Sequence, residues 1–134
     1  MARFGSLAAA AIGGTAGSLI RWGLLTVVAT DREELLIIGL NVFASAMLGV
    51  VIGRREVMND TRFHLIGTGF AGGLSTFSTF AITVALHLEN GALLSALADV
   101  AATTTLVVIA AGIGYRLSRL VQIRRPRLAT GSGR

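Results

Sequence analysis

The chain has 134 residues, of which 53% are hydrophobic and 14% charged, with a mean hydropathy of +0.73. Soluble domains carry about a quarter charged residues, so this composition excludes a disordered chain and a soluble globule that could bury its apolar surface at this length. All 12 basic residues are Arg, against seven acids, and there is no Cys, which removes disulfides, thiolate metal sites and a thiol nucleophile.

Four apolar runs follow one another at residues 4–28, 35–53, 63–88 and 92–115. A bilayer core of ~30 Å takes about 20 helical residues, and none of the runs alternates as a porin strand does. The reading is an all-α integral membrane protein with four transmembrane helices, a single domain over residues 1–134. Arg21 inside the first run, with no small-x-small cleavage site after it, argues against a signal peptide. Short links at 29–34, 54–62 and 89–91 join the runs. The basic tail, 116–134, is expected to lie partly on anionic membrane lipid and then to be solvated.

The arginines fall in clusters between the runs rather than in a stripe interleaved with aromatics, which points away from nucleic acid. Arg3, Arg54, Arg55, Arg62, Arg116, Arg119, Arg124, Arg125, Arg127 and Arg134 share one side, while Arg32 stands alone on the other. Basic loops stay cytoplasmic, so both termini are expected inside.

Polar groups at membrane depth are functional hypotheses. Arg21 can snorkel to the near interface or serve a site. Asn41, deep in the second run, can join two helices or donate its NH₂ to an anion. In the third run Gly72-Gly73 precedes Ser75, Thr76, Ser78 and Thr79. Adjacent glycines are poor helix interior, so a break there would free carbonyls suited to a small hard cation. Gly69-x-x-x-Gly73 and Gly13-x-x-x-Gly17 equally fit close helix packing. Phe77 and Phe80 share a helix face, beside a stripe of Thr76, Thr79 and Thr83. Ring edges are positive, so with Asn41 this face would make a polar track for a small anion without a fixed charge.

At these residues the chain resembles the fluoride channels of the Fluc (CrcB) family, over all four helices in order. Gly13-Gly14-x-x-Gly17-x-x-x-Arg21-Trp22 is similar to the first-helix signature, and Gly39-Leu40-Asn41-Val42 with Gly49 to the second. Gly72-Gly73-Leu74-Ser75-Thr76-Phe77-Ser78-Thr79-Phe80 resembles the third-helix motif, which is highly specific. The resemblance implies a broken third helix and an antiparallel (inverted) dimer that lets toxic cytoplasmic fluoride leave passively through two pores. It implies a pore lined by Asn41, Phe77, Phe80, Thr79 and Thr103, with Arg21 near a vestibule. It also implies a structural sodium ion, not transported, held by the backbone carbonyls of Gly72 and Ser75 from both subunits.

Two positions depart from the family pattern. Ser75 replaces a Thr, which a backbone ligand tolerates. Asp99 stands where a neutral polar residue is usual; an ionised carboxylate there would repel an anion, so it is expected to be protonated, paired with an Arg or turned away. The arginine asymmetry opposes dual insertion, so the partner is either an oppositely inserted paralogue or a second copy of this chain.

The rival reading is a proton-coupled exporter of the small multidrug resistance kind. That chemistry wants a carboxylate in the first helix, where there is none, and Asp99 lies in the fourth. An enzyme is excluded more firmly: His64 and His87 are about 35 Å apart along one helix, and no HExxH, GxSxG or CxxC motif occurs.

Overall fold

Continuous apolar sequence leaves the backbone no partner but itself, and the chain is helical over most of the residues the structure describes. The computed structural model describes residues 2–28 and 32–124 and has no strand among them. Helix α1 spans Ala2–Val27 and α2 Glu33–Gly53. A 3₁₀ turn at Arg55–Val57 follows. Asn59 then caps α3, Asp60–Phe63, through Oδ1, which accepts from the Arg62 N–H at 2.8 Å. The helix loosens into a π-helical stretch at His64–Ala71 and tightens again in α4, Gly72–Leu74. Ser75 and Thr76 are extended, and α5, Phe77–Glu89, begins directly after them. Helix α6 runs from Leu93 to Arg124.

Two glycine seams set the packing. A Cβ on Gly13 would strike the Leu65 carbonyl oxygen, and one on Gly73 would strike that of Gly14. The two small-xxx-small patterns therefore lie against each other, α1 on the π-helical stretch and α4. Gly49 meets the Ala111 carbonyl and Gly114 that of Ala46 in the same way, which seats α2 on α6. Backbones approach this closely only where side chains are absent. A small core of Leu40, Ala44, Ala71 and Leu74 sits between α2 and the end of α4. It lies directly beside the extended residues.

Most other large apolar side chains face outward, Phe4 at 80% and Leu94 at 81% exposure among them. Such a surface needs lipid or protein around it. Glu33–Gly53 and Leu93–Gln122 are each long and apolar enough to cross a membrane. Helix α5, at 13 residues, is about 20 Å long and would need the segment before Ser75 to complete a crossing.

The chain reverses between α5 and α6 through a tight helix end. Gly91 takes φ 72°, its N–H donates to Leu88 O at 3.0 Å, and the Ala92 N–H donates to His87 O at 2.8 Å. This is the Schellman pattern, with glycine at the left-handed position. It folds α6 back along α5.

The fourth helix outruns the apolar run that predicts it. Hydropathy ends near Tyr115, yet α6 continues nine residues to Arg124. Nothing before Pro126 interrupts helix propagation, and the extension has partners. Arg119 pairs with Glu56 at 3.2 Å, and Gln122 Nε2 donates to Gly53 O at 3.1 Å. The tail segment 125–134 and link residues 29–31 lie outside the described residues.

Candidate functional site

The site is built on the interruption between α4 and α5. The Ser75 N–H makes the last helical bond, to Ala71 O at 3.1 Å. Ser75 then turns to φ −74°, ψ 154° and Thr76 to φ −140°, ψ 123°, so the amides and carbonyls around them need other partners. Side chains of α1 and α2 supply these. Asn41 Oδ1 accepts from the Thr76 N–H at 2.8 Å, and Asn41 Nδ2 donates to Thr76 O at 3.1 Å. The amide thus bridges both backbone groups of one residue, in a setting where Asn41 and Thr76 are both buried. Arg21 donates through Nη1 to Ser75 O at 2.7 Å. Ser18 Oγ reaches Gly73 O and Ser75 Oγ reaches Gly72 O, each at 3.3 Å.

The result is a pair of opposed helix ends at one depth. Carbonyls released from the end of α4 collect on one side. On the other, the first turn of α5 presents N–H groups that have no intrahelical acceptor, the positive end of its dipole. Phe77 and Phe80 sit on that first turn, ring centroids 5.8 Å apart and planes at 52°.

Two cavities meet there. One, of about 30 Å³, lies between α2, α5 and α6 and is walled by Glu34, Ile37, Asn41, Phe80, Thr83, Asp99 and Thr103. Its volume suits something the size of a water molecule. The other is an open groove against Asn41, Ser45, Ser75, Thr76, Phe77, Phe80, Thr103 and Thr104. Asn41, Phe80 and Thr103 belong to both walls, so the two join into one polar track.

Of the residues singled out from sequence, the fold therefore brings Asn41, Phe77, Phe80 and Thr103 together with Gly72 and Ser75. Phe77 is 78% exposed on the single chain. Thr79 lies on α5, and its side chain is outside the described residues. Arg21 is half-buried at the interruption itself, engaged with the Ser75 carbonyl.

A family model for "CrcB-like protein, Camphor Resistance (CrcB)" matches residues 8–115 of this chain. The chain belongs to the CrcB family. Its relatives include a fluoride-specific ion channel FluC of Paraburkholderia phymatum, 38% identical over 115 residues, covering 81% of this chain and 90% of the relative. A fluoride-specific ion channel FluC 2 of Parasynechococcus marenigrum is 34% identical, covering 81% and 77%. One from Pyrococcus furiosus is 34% identical, covering 81% and 91%. This CrcB protein is thus a membrane protein of a channel family and not an enzyme, and the multidrug exporter reading is not favoured.

Several residues of the site in this CrcB protein, on its walls or at its interruption, were not singled out from sequence. Ser18 and Ser45 had a findable signal, since they stand three residues before Arg21 and four after Asn41, on the same helix faces. Glu34 and Thr104 had none. Of the three states expected for Asp99, pairing with an Arg is not what the described residues show: His87 Nδ1 stands 2.7 Å from Asp99 Oδ2, across the α5–α6 reversal.

Proposed function

We propose that this CrcB protein is a fluoride channel, passing fluoride down its gradient along the track shared by the two cavities. The observation that carries the reading is the wall common to both: an amide, an aromatic ring and a hydroxyl from Asn41, Phe80 and Thr103. Asn41 uses one N–H on Thr76 and keeps a second for an anion. Ring edges and the open first turn of α5 add positive potential without a mobile counter-charge. Chloride, larger and less able to exchange water for such donors, is expected to be rejected. Proteoliposomes loaded with both salts test this: fluoride efflux is expected to be fast and chloride efflux at background, and equal rates would overturn the reading.

Four crossings and two subunits in opposite orientations complete the proposal. The third crossing combines residues 60–74 with α5. Support for a subunit partner comes from the exposure of Phe77 and the open space at Gly72, where an added Cβ would meet nothing within 4 Å. The donor set beside it has the chemistry for sodium. Gly72 O has lost its helical donor to Asn41 and receives only the Ser75 hydroxyl. Ser75 O receives Arg21 and keeps a second lone pair. These two carbonyls, with their counterparts from a partner, would hold the ion, which would bind the released carbonyls of both subunits together.

The Arg119–Glu56 pair supports a shared side for the 54–62 link and the end of α6, in keeping with cytoplasmic termini. A single Cys introduced into the 29–34 link of this Cys-free chain is expected to label only from outside intact cells. Equal labelling from both sides would mean dual insertion and a homodimer, instead of pairing with an oppositely inserted paralogue.

A further inference from the structure

Apolar sequence gives way to arginine at one level in two neighbouring helices. Arg54 follows directly on Gly53, the last residue of α2, and Arg116 follows Tyr115 on α6. The two ends touch, since a Cβ added at Gly53 would meet the Tyr115 carbonyl and the Ser118 hydroxyl. Beyond them α6 continues against the 54–57 turn. Arg119 pairs with Glu56 at 3.2 Å, and Gln122 Nε2 donates to Gly53 O at 3.1 Å. Next to these contacts lies a cavity of about 380 Å³, walled among the described residues by Arg54, Val57, Val121 and Gln122. Water takes about 30 Å³ per molecule, so the space admits a much larger group.

The acids of this end are already engaged. Asp60 holds Arg55 at 2.6 Å, and Arg55 also lies over the Phe63 ring; Glu56 holds Arg119. Arg54 has no ion pair and no side-chain hydrogen bond among the described residues. It therefore brings an uncompensated guanidinium to the cavity wall. Gln122 keeps a second N–H after serving Gly53. Val57 and Val121 are both exposed and supply apolar wall. A fork of donors beside apolar surface, where the chain leaves lipid, matches a phosphate esterified to an acylglycerol. Basic links favour the cytoplasmic side, whose leaflet carries the anionic lipids. The chain's own tail has the wrong sign to fill the space, since its charged side chains are Arg125, Arg127 and Arg134.

We propose that this cavity binds one anionic phospholipid, with the phosphate on Arg54 and Gln122 and the start of an acyl chain against Val57 and Val121. A lipid held there joins the end of α2 to α6 and stabilises the folded chain by mass action. Fluoride takes no part in this site, which stands or falls separately from the channel reading.

The test is titration of the delipidated full chain, in neutral detergent, with phosphatidylglycerol, phosphatidylcholine or inorganic phosphate. Native mass spectrometry counts what binds, and thermal unfolding reads its effect. One phosphatidylglycerol per chain is expected to bind saturably and to raise Tm. Phosphatidylcholine, whose ammonium group opposes Arg54, and inorganic phosphate, which gains nothing from the valines, are expected to do neither. Arg54→Gln is expected to weaken phosphatidylglycerol binding about tenfold, the loss of one charge-assisted contact. Arg116→Gln removes the same charge from outside the cavity wall and is expected to leave binding unchanged. Val121→Glu places a carboxylate in the wall and is expected to weaken binding as Arg54→Gln does, so a poorly folding Arg54→Gln leaves the test intact. Equal weakening by Arg54→Gln and Arg116→Gln would mean diffuse attraction to a basic surface and overturn the site. Inorganic phosphate binding as well as phosphatidylglycerol would make the cavity a general anion site and overturn the lipid. Phosphatidylcholine binding as well as phosphatidylglycerol would overturn the role of Arg54.

Discussion

Phe80→Ile is expected to reduce fluoride efflux from proteoliposomes by about a hundredfold or more, a rise of about 2.7 kcal/mol in the barrier, with the protein still folded. The side chain belongs to the walls of both the small cavity and the open groove, so an ion on this track passes it whichever way it travels. Isoleucine keeps most of the volume and the apolar character, and such swaps in a packed site cost little stability. What it removes is the ring and its positive edge. Phe77, 5.8 Å away and tilted at 52°, cannot replace that edge from its own place on the groove. Circular dichroism and size-exclusion behaviour check the fold, and the electrode reads the flux. Flux at the unmodified level would reduce Phe80 to a packing residue.

The apolar runs were legible because a membrane span needs unbroken hydrophobicity, and the ends of α1 and α2 fall within two residues of the runs that predict them. Local chemistry was harder to read than the runs. Gly72-Gly73 supported packing and interruption alike, and the two glycines behave differently. Gly73 lies against Gly14, whereas Gly72 faces open space, and the extended residues are Ser75 and Thr76, two positions on. Which glycine packs depends on where α1 lies, and that is tertiary information. The π-helical stretch had no local signal, since one extra residue per turn is set by what the helix packs against. For Asp99 three states were open, protonated, paired with an Arg or turned away, and the residue beside it is a histidine. His87 is twelve positions away, and only the left-handed Gly91 turns it back onto α6. The far end of α6 was missed for another reason. Hydropathy marks where lipid ends, but a helix continues into water until a residue such as Pro126 stops it.

Asn41→Ala is expected to lower stability in detergent by about 2–6 kcal/mol and to abolish fluoride flux with it. The estimate follows from what the amide holds. Both backbone groups of Thr76 are bonded to Asn41, at 2.8 and 3.1 Å, in a site where neither residue is open to water. A buried backbone group left without a partner costs about 1–3 kcal/mol, and alanine strands two of them. The chain can recover one bond by closing the helix, returning the Thr76 N–H to Gly72 O. That closure would carry Phe77 and Phe80 away from Thr103, because rejoining α4 to α5 rotates the first turn of α5. Stability and conduction therefore fall for the same reason, the loss of an extended Thr76. Asn41→Asp separates the two bonds, since it keeps the acceptor for the Thr76 N–H and removes the donor to Thr76 O. It is expected to retain the interruption better than alanine does, while placing a carboxylate against the anion and so still failing to conduct. Chemical denaturation followed by the single Trp22, with efflux measured on the same preparations, reads both effects. An Asn41→Ala protein as stable as the unmodified chain and conducting normally would mean that Arg21 and Ser18 hold the interruption without help from α2.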